Sequence, residues 1–123
     1  MKTKLAVLAI TTTFALPAYA QTEIQWWHSM PGALGEWVND LAKGFNASQN
    51  EYKIVPTFKG TYDESMTAAV AAFRAGNAPH ILQVFEVGTA TMMASKNAIV
   101  PVGKVMADAG VKFDPAALKA SLL

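Results

Sequence analysis

The chain has 123 residues, with ten Lys plus Arg, nine Asp plus Glu, two His and no Cys; 52% of it is hydrophobic and its formal charge is +1. That length suits a single domain, and the lack of cysteine excludes a disulfide framework, a thiolate nucleophile and Cys-ligated zinc or iron–sulfur sites. From residue 21 onward eight basic residues stand against nine acidic ones, a charge of −1, which argues against the basic surface that nucleic acid or an anionic membrane requires.

Residues 1–20 have the pattern of a cleaved secretory signal. Lys2 and Lys4 form a positive start, Leu5 to Leu16 a short apolar run, and Ala18-Tyr19-Ala20 a small-x-small cleavage site. The run is shorter than the roughly 18 to 20 residues that span a bilayer, and no Cys follows the cleavage site to carry a lipid anchor. The expectation is a mature chain, residues 21–123, that works outside the cytoplasm.

Glu23 to Trp27 predicts a strand, followed by the loop signal His28-Ser29-Met30-Pro31-Gly32. Leu34, Trp37, Val38, Leu41 and Phe45 then recur at helical spacing, with Trp37 expected in the core, and the pattern fades over Asn46 to Asn50. Tyr52 to Phe58 predicts a second strand, with Pro56 at its edge or near its end. Thr61 and Glu64 fit a capping box, opening a helix with Met66, Ala69, Val70 and Phe73 on one face and Gly76 as its C-terminal cap. After Pro79, His80 to Phe85 reads as a strand buried on both faces, with His80 as a turn residue and Glu86 at the strand's end. Short helices are predicted over Thr89 to Ser95 and Val102 to Ala109, with Ile99 to Pro101 extended between them. Asp114-Pro115 marks the start of another helix.

Strand, helix, strand, helix, strand, joined by connections too long for hairpins, indicates an α/β fold with a parallel sheet and right-handed crossovers. Ligands of such sheets bind beyond the carboxyl ends of the strands. Trp27-His28-Ser29, Lys59 to Tyr62, and Glu86 fall at those ends. The turn from Lys59 into the second helix offers free N–H groups and a positive dipole end suited to an anion, with Tyr62 as an added donor; the structural alternative is a cap that binds nothing. The Glu86 carboxylate accepts hydrogen bonds only and suits ligand hydroxyls; its structural alternative is an ion pair with Lys59 or Lys96. A ligand using both positions would have a polyol end and an anionic end.

His28, His80, Asp63 and Glu86 are the residue types a metal or acid–base centre needs, but no H-E-x-x-H spacing is present. No G-x-S-x-G surrounds Ser29. No cofactor is expected. Trp26 and Trp27 point to opposite faces of their strand, so at most one faces the crevice. Met66, Met92, Met93 and Met106 read as packing residues.

The stretches WHSMPGALG (27–35), YKIVPTFKGTYDES (52–65) and AAFRAGNAPHILQVFEVGTATMMAS (71–95) resemble the periplasmic glycerol-phosphate-binding receptors of bacterial ABC importers, within the extracellular solute-binding proteins. The likeness runs from about Gln25 to Asp114. It implies a periplasmic-binding-protein-like fold of which residues 21–123 form a partial N-terminal lobe, with ligand held between two lobes that close by a hinge. It further implies sn-glycerol 3-phosphate as ligand, extending to glycerophosphodiesters, delivery to the permease subunits of an importer, no enzymatic activity and a monomeric state. Carried over by motif, Tyr62 of KGTY resembles the family's phosphate-side tyrosine and Glu86 of QVFEVG its ligand-binding acid; no contact is assigned to His28 or Ser29. Members of that family are several-fold longer, and a lone anion site with two side-chain contacts would bind at about millimolar strength or weaker. Competing readings are a sugar or oligosaccharide receptor of the same architecture, a metal-dependent periplasmic phosphoesterase built on His28, Asp63 and Glu86, and a truncated product with no function of its own.

Overall fold

A computed structural model of the chain describes residues 20–95, 97–112, 114 and 116. Residues 1–19 of the expected export signal, Lys96 and most of the helix expected after Asp114 lie outside those residues.

The first strand, β1 (Thr22–His28), feeds α1 (Gly32–Ser48), which returns to β2 (Tyr52–Phe58); α2 (Tyr62–Arg74) then leads to β3 (Ile81–Leu82), followed by α3 (Glu86–Ala94) and α4 (Val102–Asp108). The three strands form a parallel sheet in the order β2-β1-β3, so the expected α/β architecture is present. The chain runs from the central strand outward to β2, then back across to β3. The two crossovers run in opposite directions across the sheet, so with the right-handed sense that parallel connections take, α1 and α2 fall on opposite faces and a switch point lies at the carboxyl ends of β1 and β3.

Helix α1 lies on β2 through the residues 35, 38, 42 and 46, which share one face by spacing; Val38 and Ala42 are buried there. The larger apolar residues Leu34, Trp37, Leu41 and Phe45 sit one position earlier, about 100° around the helix, and all are exposed. Trp37, expected in the core, is 59% exposed. Apolar periodicity located the helix but not the face that meets the sheet, because small residues allow the closer approach.

The outer edge of β2 is finished by side chains. Asn46 donates Nδ2 to the Ile54 carbonyl at 2.9 Å and accepts the Ile54 N–H at 2.7 Å. Gln49 does the same for Tyr52, at 2.6 and 2.7 Å. The next residue on that side, two further on, is Pro56, which has no N–H to offer. An edge blocked in this way resists pairing with another chain.

Helix α2 begins as its sequence signature predicts. Thr61 Oγ1 accepts the Glu64 N–H at 3.3 Å, and Glu64 Oε2 accepts the Thr61 N–H at 2.7 Å. At the other end, Gly76 has φ +76°, its N–H bonds to the Phe73 carbonyl and the Asn77 N–H to that of Ala72; this left-handed cap closes the helix with two otherwise orphaned carbonyls satisfied. Ala69 and Ser65 are the buried residues of α2, while Met66 and Val70 are half-buried and Phe73 is exposed. Helix α4 ends likewise, the Gly110 and Val111 N–H groups bonding to Ala107 and Met106. Asp114 Oδ1 accepts the Ala116 N–H at 2.9 Å, the capping role expected of it.

The third strand departs most from expectation. Only Ile81 and Leu82 pair as strand, and Ile81 is exposed, whereas His80 to Phe85 was expected to be buried on both faces. Two causes act together: β3 has a strand neighbour only on its β1 side among the described residues, and the chain already turns into α3 at Glu86. That helix was expected from Thr89; it starts three residues sooner, with Phe85 as N-cap. Of the four methionines read as packing residues, Met92 is buried, Met66 and Met106 are half-buried, and Met93 is exposed.

Candidate ligand-binding site

The carboxyl ends of the strands bring the predicted segments together. Phe58 lies beside His28 in the ladder, and the first residue after β2, Lys59, donates its N–H to the His28 carbonyl at 2.9 Å. The Lys59 ammonium then sits 4.0 Å above the Trp27 ring, a cation–π contact that occupies the one positive charge of this corner's turn. Trp26, on the opposite face of β1, lies 6.1 Å from the His28 ring.

Gly60, with φ +80°, makes the turn into α2. A Cβ there would run into the Glu64 carboxylate, so the turn and the capping box require a residue without one. Tyr62 follows as the first residue of α2. Its ring packs against Phe85 with centroids 5.2 Å apart and planes inclined by 36°. Tyr62 is half-buried, and Phe85 and Glu86 are exposed.

Glu86 is therefore not the end of a strand, as the sequence reading had it, but the first residue of α3. Its place in the first turn complements the helix dipole. No ion pair joins it to Lys59 among the described residues, since the only pairs there are Lys53–Glu23 and Lys104–Asp108; the proposed alternative partner Lys96 lies outside them. Between α2 and α3 opens a cleft of about 250 Å³, lined by Tyr62, Asp63, Met66, Gln83, Phe85 and Gly88 among others. Gly88 allows this approach: a Cβ there would collide with the end of Met66 and lie 2.8 Å from Val84 Cγ1.

His28 is structural. It is 3% exposed, its Nδ1 accepts the Met30 N–H at 3.3 Å, and burial pushes its pKa down from the ordinary value of 6.5. Ser29 and Ser65 are also buried, and their hydroxyls have no partner among the described residues. Glu64 is held below the usual carboxylate range by the Thr61 N–H and hydroxyl. No group of three or more potential metal-ligating side chains occurs among the described residues.

His80 lies at a bend just before β3, in line with its expected place in a turn, and it also bonds across to β1: its Nδ1 accepts the Gln25 N–H at 2.9 Å, while its own N–H donates to the Gln25 carbonyl at 3.1 Å. At the other end of β3, Gln83 N–H donates to the Trp27 carbonyl at 2.9 Å and Gln83 Oε1 accepts the Ser29 N–H at 3.0 Å. The sequence signal was weak: a His and a Gln flanking a two-residue strand, with Pro79 removing a donor just before it.

The electrostatics divide the site by ligand group. Asp63, Glu64 and Glu86 all stand at the two helix starts, and Glu64 already takes the Thr61 N–H. Carboxylates accept from hydroxyls and repel phosphate, so these residues suit the polyol end of a ligand. An anionic end is left the Tyr62 hydroxyl and the N–H groups of Tyr62 and Asp63, which have no partner among the described residues, whereas that of Glu64 is taken by Thr61.

No family model matches the chain. It is 59% identical over 107 residues to the sn-glycerol-3-phosphate-binding periplasmic protein UgpB of Yersinia pestis, a match covering 87% of this chain and 24% of that protein. The protein of the same description from Yersinia enterocolitica is 58% identical over 113 residues, covering 92% and 25%. That of Brucella abortus is 54% identical over 106 residues, covering 86% and 24%. The chain is thus a relative of the sn-glycerol-3-phosphate-binding periplasmic proteins, and it spans about a quarter of the length of the curated relatives it matches.

Proposed function

We propose that this chain contributes one side of a binding site for sn-glycerol 3-phosphate in a periplasmic receptor that serves an ABC importer, and that it acts by binding and not by catalysis. Tyr62 donates its hydroxyl toward the phosphate and Glu86 accepts from the glycerol hydroxyls. The observation that carries the reading is the Tyr62–Phe85 contact at 5.2 Å, which sets the start of α2 beside the start of α3 at the switch point of the sheet. The relatives' description as sn-glycerol-3-phosphate-binding periplasmic proteins supports the ligand and the compartment. Glycerophosphodiesters fit the same two ends, and residues 1–20 supply the export signal.

Three carboxylates and one engaged lysine are a poor phosphate site alone, so tight binding requires donors from outside this segment. The test is calorimetry on a chimera in which this chain replaces the matching quarter of the Yersinia pestis relative. The chimera binds sn-glycerol 3-phosphate, and each variant weakens binding about tenfold, Tyr62→Phe by removing a donor to the charged phosphate and Glu86→Gln by replacing a charged acceptor with a neutral one. Unchanged affinity in both variants overturns the assignment.

A further inference from the structure

Two polar side chains flanking β3, His80 and Gln83, take no part in the capping box; His80 stands away from the cleft, and Gln83 is part of its lining. Both do the same thing. Each donates its backbone N–H to a β1 carbonyl, and each then catches an N–H with its side chain: His80 Nδ1 takes that of Gln25 within β1 and Gln83 Oε1 that of Ser29, the residue just after β1. A regular parallel ladder would offer backbone carbonyls at those places. Here Pro79 precedes the strand and α3 follows within four residues of Leu82, so the ladder is cut short at both ends and side chains complete it.

We infer that His80 and Gln83 are positioning residues that lock β3 in register on β1 and thereby hold Phe85, the N-cap of α3, beside Tyr62. The inference rests on the ligand-binding reading above. With only Ile81 and Leu82 paired as strand, the side-chain bonds are a large share of what fixes β3. A slip of one residue would turn every side chain of the segment to the other face of the sheet. The bond to Gln25 uses the Nδ1 lone pair of His80, so the ring carries its proton on Nε2. Asparagine can place an acceptor oxygen close to where Nδ1 sits; leucine cannot.

His80 lies at the far end of β3 from the cleft, which separates positioning from ligand contact. In the 123-residue chain, amide hydrogen exchange at Gln25 quickens about tenfold in His80→Leu and stays within about twofold of the parent in His80→Asn, as loss and retention of one hydrogen bond require. Proton–proton contacts between the Tyr62 and Phe85 rings, read by NMR, weaken in His80→Leu and persist in His80→Asn. In the chimera, sn-glycerol 3-phosphate affinity falls about tenfold in the leucine variant and recovers in the asparagine variant. Gln83→Leu provides the second arm, with quickened exchange at Ser29.

Unchanged exchange at Gln25 and Ser29 in the leucine variants overturns the inference, as does an asparagine variant as impaired as the leucine one. If the unsubstituted chimera binds no glycerol phosphate, the functional proposal fails, while exchange and ring contacts still decide whether the two side chains hold β3.

Discussion

Replacing Asn46 by alanine tests whether side chains from α1 seal the outer edge of the sheet. Asn46 satisfies both backbone groups of Ile54, at 2.9 and 2.7 Å, in a part-buried setting. Alanine would leave one donor and one acceptor unpaired beneath the helix. At about 1 to 1.5 kcal/mol for each, the lower half of the range for stranded polar groups, the loss is about 2 to 3 kcal/mol. For a domain of this size that lowers the melting temperature by roughly 8 to 20 °C. Gln49→Ala is the internal control, because Gln49 makes the same pair of bonds to Tyr52 in an exposed position, where water replaces the side chain at less than about 1 kcal/mol. Urea unfolding followed by tryptophan fluorescence measures both, and sedimentation tests whether the unsealed edge promotes association. Equal midpoints for the two variants would refute the argument that burial of the Ile54 groups gives the Asn46 contact its value.

Three further outcomes follow from the geometry. Thr61→Ala removes half of the capping box and lowers stability by about 1 kcal/mol in urea unfolding. The native carboxylate of Glu64 is held below its ordinary range by Thr61, so its contribution is present above the unfolded carboxylate pKa of about 4.3 and fades as pH falls through the lower native value; the acid limb of the stability profile should be shallower in Thr61→Ala. His28 acts in a higher window. Burial keeps its native pKa below 6.5, so the unfolded chain binds the proton first and stability declines as pH drops from 6.5 toward the native value; His28→Asn should flatten that decline when unfolding midpoints at pH 7.5 and 5.5 are compared. Finally, Gly88→Ala strains the turn into α3, because the end of Met66 on α2 can swing aside but Val84 Cγ1, in the segment that leads into α3, lies 2.8 Å from the new carbon, so Val84 to Gly88 must rearrange. A loss of about 1 to 3 kcal/mol in thermal unfolding is expected, with altered NMR contacts between the Tyr62 and Phe85 rings.

The elements whose ends carry local chemistry were legible in the sequence. Thr61 with Glu64, Gly76, and Asp114 use motifs that act through their own backbone, so spacing alone located them. Strand–helix alternation was enough for the parallel sheet, and that placed Tyr62 and the region of Glu86 at its carboxyl edge. What spacing could not supply was the packing direction. Trp37 and its neighbours read as core on the expectation that the largest apolar residues face the sheet, whereas Val38 and Ala42 do so. The run His80 to Phe85 read as a strand because its residues are apolar, yet the ladder depends on where β1 presents partners, a nonlocal fact. For the same reason Glu86 was read one element too early, and the roles of His80, Gln83, Asn46 and Gln49, all side chain to distant or edge backbone, carried no motif.

The most direct test of the central claim is a titration of the isotopically labelled chain with sn-glycerol 3-phosphate, followed by amide NMR. The account predicts saturable shifts at Tyr62, Asp63, Phe85 and Glu86, with a midpoint at about millimolar concentration. It also predicts loss of those shifts in Glu86→Gln and no response to maltose. The absence of saturable shifts at these residues, or shifts that survive both Tyr62→Phe and Glu86→Gln, would contradict it.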